Sequence, residues 1–134
     1  MKLFKKLKDG GPESPVDGYF VFEIKSVASI VLLKFNKGCR ETFHSHAFNA
    51  LTWFIKGSMI EEDITGITYQ YKKSILPKVT KRSKMHRVRS AEDSWAISVR
   101  GPWVDTWKEY CEEKQVFTTL TNGRKIISQS TEIN

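Results

Sequence analysis

The feature that most constrains the fold is a succession of short apolar segments separated by turn residues, with almost no helical periodicity. From Tyr19 onward the chain is rich in β-branched and aromatic residues, which favour strands. Turn-forming residues at positions 36–38, 56–57 and 121–123 help to divide this part into about nine or ten strands. The pattern predicts an all-β protein built as a β-sandwich or β-barrel.

The length of the chain, 134 residues, suits one domain with a single core. We predict a basic extension and linker over residues 1–18, one β-barrel domain over 19–128 and a short tail over 129–134. In the extension, Leu3, Phe4 and Leu7 lie among lysines, which predicts either a short amphipathic helix or a frayed extension. Residues 9–15, with the sequence DGGPESP, would end any such helix.

Several absences bear on where the protein works. No apolar run approaches the roughly 20 residues that a membrane-spanning helix needs, and the basic N-terminus lacks the apolar segment of a signal peptide. Cys39 and Cys111 are too few for a disulfide framework and do not form a CxxC metal motif, so we expect reduced thiols. These features predict a cytoplasmic protein with no membrane partner.

The net charge of +7 raises the question of an anionic partner. One basic cluster lies at the N-terminus, and a second surrounds His86. No recognisable nucleic-acid motif accompanies either cluster, so nucleic acid is not expected as a partner. We expect instead a small anionic ligand near His86. The second cluster consists of Lys78, Lys81, Arg82, Lys84, Arg87 and Arg89.

The three histidines form the most informative pattern in the chain. His44 and His46 are separated by one residue, so on a strand spanning residues 40–46 both side chains would lie on the same face. The third histidine, His86, follows a turn that contains Pro77. Neutral imidazoles bind Fe(II), Zn(II), Ni(II), Mn(II) and Cu(II), so the pattern predicts a divalent metal site formed by His44, His46 and His86.

The spacing around these histidines resembles the first sequence motif of the cupin superfamily. That motif runs from a glycine through His-x-His to a glutamate and a second glycine. The matching positions here are Gly38, His44, His46 and Gly57, but Ala50 stands where the motif has its glutamate. In the second cupin motif a proline–glycine turn closely precedes a histidine. Here His86 lies nine residues after Pro77, with no glycine between them.

A narrower resemblance is to small uncharacterised cupins of bacterial and phage genomes, and it covers roughly residues 38–110. Its matching residues are His44, His46, Gly57, Glu61, His86, Arg87, Gly101, Pro102, Trp103 and Trp107. The resemblance implies a jelly-roll barrel over residues 19–128, with the three histidines inside its mouth. Homodimers are common among cupins, so a homodimer is expected by resemblance. A phage-encoded protein would work in the host cytoplasm.

A three-histidine site resembles that of the thiol dioxygenases in the same superfamily, which implies Fe(II) first among the metals. Glu61 or Glu62 would replace the missing carboxylate, and strand alternation allows only one of them to face inward. Glu61 matches the narrower group, so we predict that it is a fourth ligand or the catalytic general base.

The residues predicted to bind the substrate are arginines suited to an anionic group and two polar residues near the histidines. They are Arg40, Asn49, Thr52, Arg87 and Arg100. The leading hypothesis is an iron-dependent dioxygenase acting on a small anionic molecule. Two alternatives remain open. One is a non-enzymatic cupin that binds a nucleotide, a sugar or a signalling metabolite. The other is a metal-independent sugar isomerase or epimerase.

Overall fold

The computed structural model describes residues 2–10, 14–39 and 42–131, which form an almost entirely β structure. A single turn of 3₁₀ helix, Asn122–Arg124, connects the last two strands. The strands are β1 (Lys2–Lys8), β2 (Val16–Ile24), β3 (Ala28–Phe35), β4 (Gly38–Cys39), β5 (Phe43–His44), β6 (Ala50–Lys56), β7 (Ser58–Asp63), β8 (Thr68–Lys72), β9 (Lys78–Thr80), β10 (His86–Ser90), β11 (Ser94–Arg100), β12 (Trp107–Cys111), β13 (Val116–Thr121) and β14 (Lys125–Ser130).

These strands form two antiparallel sheets that pack face to face as a jelly roll. The first sheet has the order β1-β2-β3-β11-β6-β9. The second has the order β14-β13-β12-β5-β10-β7-β8, with β4 paired to β10 beside it. Some chain neighbours, such as β5 and β6, lie in different sheets, so their connections cross between the layers, as in jelly rolls. The predicted all-β fold is confirmed.

Of the two alternatives predicted for the N-terminus, a short helix or an extension, the helix is wrong. Residues Lys2–Lys8 form β1, which pairs antiparallel with β2 along its whole length, with Lys5 opposite Phe20. An isolated helix of this length is marginal in water because few hydrogen bonds offset the ordering of its backbone. The open edge of β2 instead satisfies the backbone groups of β1. Within the part of the chain described, no helix is long and apolar enough to cross a membrane.

The inner faces of the two sheets enclose a cavity of about 460 Å³ as well as a core. Small apolar clusters close the barrel around this cavity. One contains Val16, Phe20, Val31 and Leu33. A second contains Ala47, Phe48 and Ala50, with Trp103 and Trp107 packed against it. The third contains Phe54, Met59 and Ala96. Because the clusters line the cavity rather than fill it, polar side chains can also face the interior.

The turn from β6 to β7 depends on Gly57, the second glycine of the resemblance. Its φ of +87° lies in the left-handed region, where a side chain is strained. A Cβ at this position would also lie 2.9 Å from the Cα of Ser94. The turn therefore needs glycine for both its backbone conformation and its close contact with β11.

Candidate metal centre

The three histidines converge because β5 pairs with β10. His44 ends β5 and lies directly opposite His86, the first residue of β10. His46 does not extend the strand. The backbone N–H of Ser45 bonds to Lys108, whereas that of His46 bonds to Arg82 at 3.3 Å, so the ladder ends between them. The three imidazoles therefore converge because the strand ends before His46 and because β5 pairs with β10. Alternation along one straight strand does not bring them together.

The spacing of the imidazoles suits one metal ion. One nitrogen from each ring lies within 4.8 Å of the other two, and this group could hold a metal ion. The ring centres are 4.8 to 5.2 Å apart, and Nε2 of His46 is 3.0 Å from Nε2 of His86. Three nitrogens at about 2.0–2.1 Å from a common ion would be roughly 3 Å apart. The donor set therefore fits a single divalent ion with small adjustments.

Two of the rings are shielded from solvent. His44 is 7% exposed and His86 is 5% exposed. Burial lowers the pKa of His86, and this effect outweighs the hydrogen bond to Glu61, which acts in the opposite direction. The ring is therefore neutral at neutral pH, which is the state that can donate a nitrogen lone pair to a metal.

Glu61 lies behind His86 rather than among the three converging nitrogens. It is completely buried on β7, and its carboxylate accepts a hydrogen bond from Nδ1 of His86. That contact leaves Nε2 of the ring directed toward His46. Glu62, the next residue, faces outward and accepts a hydrogen bond from Arg87 at 2.7 Å, so the two glutamates lie on opposite faces of β7.

A group of polar side chains compensates the buried charge of Glu61. Its carboxylate bonds Lys78, Nζ of Lys84 at 2.8 Å and the hydroxyl of Tyr71 at 3.3 Å. Burial opposes ionisation, but the hydrogen bond from His86 and the charge of Lys78 outweigh it and lower the pKa of Glu61 below its ordinary range. Burial, reinforced by the negative charge of Glu61, raises the pKa of Tyr71.

Lys78 and Tyr71 are site residues that the sequence interpretation missed. Lys78 lies on β9, lines the cavity and has a side chain only 12% exposed. Burial lowers its pKa, although the attraction of Glu61 acts in the opposite direction. The only sequence signal was membership of the basic cluster around His86, and a lysine in such a cluster is usually solvated.

The residues predicted to bind substrate separate into distinct positions. Thr52 and Arg100 line the cavity. Asn49 is exposed, and its side-chain oxygen accepts a hydrogen bond from the backbone N–H of Arg82. Arg87 forms ion pairs with Glu62 and Glu112 outside the cavity. Arg40 lies outside the described residues.

The wall beside the histidines is aromatic. Phe48 stacks on His46 with ring centres 5.1 Å apart, and Trp103 packs on Phe48 at 5.4 Å. Ala50, at the glutamate position of the cupin motif, also lines the cavity. Its methyl group donates no ligand atom, so the described donors are the three imidazoles alone. The fold and this site define a jelly-roll protein with a three-histidine group in its interior.

No protein-family model and no curated protein matches the sequence, but solved structures match the fold. A sugar phosphate isomerase of the cupin superfamily from Silicibacter pomeroyi gives a TM-score of 0.64 at 9% identity, over 97% of this chain and 92% of that one. An RmlC-like cupin from Shewanella frigidimarina gives 0.56 at 13% identity, over 74% and 84%. Ectoine synthase from P. lautus gives 0.57 at 13% identity, over 69% and 68%.

The chain therefore has the cupin fold, and the resemblance found in the sequence is confirmed at that level. At these identities the similarity is one of architecture. The activities named for the similar proteins belong to those proteins.

Proposed function

We propose that this protein is a metal-dependent cupin that binds one divalent ion through His44, His46 and His86 and acts on a small anionic molecule in its cavity. The observation that carries this proposal is the convergence of three imidazole nitrogens within 4.8 Å at a cavity wall. Three protein ligands leave coordination positions open, which is characteristic of catalytic rather than structural sites.

The residues behind the histidines support a metal role. A ligating histidine commonly donates its second ring N–H to a carboxylate, which fixes the ring and raises its basicity. Glu61 accepts such a bond from His86. Nδ1 of His44 lies 3.4 Å from the carbonyl oxygen of Thr42, a long contact with a similar orienting effect. In this proposal Glu61 positions the ring of His86. It is neither a fourth metal ligand nor the general base.

The cavity provides what a small anionic substrate needs. Phe48 and Trp103 exclude water from one side of the site and strengthen electrostatic interactions there. Among the described residues, the lining has six basic side chains, including Lys78 and Arg100, against three acidic ones. When bound, a divalent ion supplies a Lewis acid with open positions, and Fe(II) also supplies redox chemistry with O₂. Oxidation of a small anion with O₂ is accordingly the first reaction class to assay.

Elemental analysis of protein purified without an affinity tag tests the metal site. We expect about one equivalent of a transition metal per chain, because binding to three ordered imidazoles is strong. The metal should be absent from His44→Ala and retained by Thr52→Val, which alters the cavity wall without removing an imidazole. If neither the purified protein nor anaerobically reconstituted protein binds a metal, the proposal is wrong.

The metal found directs the activity assay. Iron would lead to measurements of oxygen consumption with small carboxylates and thiols. If the protein binds metal but turns over no class of substrate, the non-enzymatic cupin that only binds its ligand is favoured over the enzyme.

The contact between Glu61 and His86 favours one other function. A carboxylate that orients a histidine in a cavity is also the arrangement of a general base, and that base would serve a metal-independent sugar isomerase or epimerase. This alternative predicts that sugar-phosphate or sugar-nucleotide turnover persists in excess chelator. The metal-dependent function predicts that turnover stops and returns when metal is restored.

A further inference from the structure

Arg100 is a buried cation at the cavity wall whose charge is unusual for the inside of a barrel. It ends β11, is 3% exposed and lines the cavity. Its guanidinium carbon lies 4.6 Å from the ring centre of Phe48, the same phenyl ring that stacks on His46. A single aromatic side chain therefore connects Arg100 to the three-histidine group.

Asp9 neutralises this cation through two parallel hydrogen bonds. Nη1 and Nη2 of Arg100 donate to Oδ1 and Oδ2 of Asp9 at 3.1 and 2.7 Å. This fork geometry is the one by which arginine recognises a free carboxylate. Asp9 therefore binds the guanidinium of Arg100 with the geometry that a carboxylate ligand would use.

The segment that carries Asp9 lies at the edge of the first sheet. It follows β1, which is an edge strand bonded only to β2 among the described residues, and no residue of β1 is buried. Asp9 itself is fixed to β2 by a backbone hydrogen bond to Val16. Gly10, next in the chain, has a φ of +98° and is the residue type best able to change conformation. Moving Asp9 away from Arg100 would expose little apolar surface.

Two buried donors on residues of the cavity lining have no acceptor among the residues that the structure describes. They are Nε of Arg100 and Nε1 of Trp103. Both side chains line the cavity and both contact Phe48. Buried donors in native proteins are normally satisfied, so these two donors of the cavity lining are available to the acceptor oxygens of a ligand or of water.

We propose that Arg100 binds the carboxylate of the cavity's ligand, and that Asp9 occupies this position until that carboxylate replaces it. This proposal rests on the proposed function, because it names the substrate class of the same cavity. The ligand is a small carboxylate whose acceptor oxygens take up the spare donors of Arg100 and Trp103. Its other end reaches past Phe48 toward the histidines.

Chemical rescue in metal-free protein tests this proposal, with succinate as the probe. Asp9→Ala leaves a buried, uncompensated guanidinium, so its melting temperature should fall by several degrees. Succinate should restore much of the loss, because a ligand that binds only the folded state stabilises it. The matched control is Glu112→Ala, which removes the same charge from the exposed partner of Arg87 and should show neither effect.

The double variant Asp9→Ala/Arg100→Met shows whether rescue depends on Arg100. It removes both charges, so we expect it to fold while losing the succinate effect. The ¹⁵N–Hε signal of Arg100 should shift with succinate in Asp9→Ala and less in the wild type, where Asp9 competes. If Asp9→Ala does not fold, Asp9→Asn is measured in the same way. The proposal would be overturned if succinate stabilises neither Asp9 variant, or if it stabilises the double variant as much as it stabilises Asp9→Ala.

Because these measurements use metal-free protein, they are independent of the metal site. Both proposals would be supported if His44→Ala loses the metal and if succinate stabilises metal-free Asp9→Ala. Rescue in a protein that never binds metal would retain the carboxylate site and reject the metal function. Metal binding without succinate rescue would retain the metal function and reject the carboxylate site.

Discussion

Nδ1 of His86 donates a hydrogen bond to the buried carboxylate of Glu61, and Nε2 of the same ring lies 3.0 Å from Nε2 of His46. One ring therefore joins a charged network on one side to a group of potential metal ligands on the other. In the register of β7 and β10, Val88 lies opposite Glu61 and His86 lies opposite Asp63. Glu61 and His86 are therefore diagonal neighbours across the two strands, which allows their side chains to meet. The carboxylate controls which nitrogen of His86 is available to a metal.

Glu61→Gln is expected to weaken metal binding by about 10- to 100-fold, the usual effect of removing a carboxylate behind a ligating histidine. The amide can still accept a hydrogen bond but does not carry the negative charge that raises the basicity of the ring. Competition with a chromophoric chelator measures the affinity. Glu62→Gln removes a charge from the opposite face of β7 and should bind metal as the wild type does. Equal affinities in the two variants would show that Glu61 has no positioning role.

The His44–His46 spacing and the opposite faces of Glu61 and Glu62 were accessible to sequence reasoning because they are local, whereas convergence with His86 depends on the pairing of β5 with β10. His44 and His46 are adjacent in a motif, and Glu61 and Glu62 differ only by which face of one strand they occupy. The all-β class followed from short β-type segments and frequent turns. These features are determined over a few residues, where alternation and turn chemistry are reliable.

The remaining features depend on contacts between distant parts of the chain. The Asp9–Arg100 pair joins residues 91 positions apart, and no local pattern indicates that pairing. The burial of Lys78 depends on β9 pairing with β6 beside the cavity. The N-terminal segment is a strand because the edge of β2 is available to it, and this edge exists only in the folded sheet. Sequence periodicity alone contains none of this information.

Acidification is expected to destabilise the metal-free protein. The pKa values of both His86 and Glu61 are lower in the folded state than their ordinary values of 6.5 and 4.5. The unfolded chain therefore binds more protons at low pH, so the free energy of unfolding falls as pH falls. His86 contributes below pH 6.5 and Glu61 below pH 4.5. Melting temperatures between pH 8 and 4 measure the effect.

The pH profile of Glu61→Gln provides the control for this prediction. It lacks the carboxyl group, so its loss of stability near the ordinary pKa of glutamate should be smaller than that of Glu62→Gln. A wild-type melting temperature that stays constant, or rises, from pH 7 to 4 would contradict the assigned protonation states.

Lys78→Met is expected to lower the free energy of unfolding by roughly 3 kcal/mol, because removing one partner leaves a buried charge partly uncompensated. Lys84→Met removes the other lysine from the same carboxylate and should cost less, since Lys84 is 28% exposed and Lys78 only 12%. Urea unfolding of both variants at neutral pH gives the comparison. A larger loss in Lys84→Met would mean that Lys84 provides most of the compensation.

Gly57→Ala is expected to be more destabilising than Gly66→Ala, although both glycines have positive φ values, +87° and +92°. The left-handed conformation costs an alanine about 1–2 kcal/mol at either position. At Gly57 the added Cβ also lies 2.9 Å from the Cα of Ser94, whereas at Gly66 it has nothing within 4 Å. Overpacking against β11 should add about 1–3 kcal/mol, so the difference between the variants isolates the contact from the backbone strain. Urea unfolding measures both, and equal losses would show that the turn yields without affecting β11.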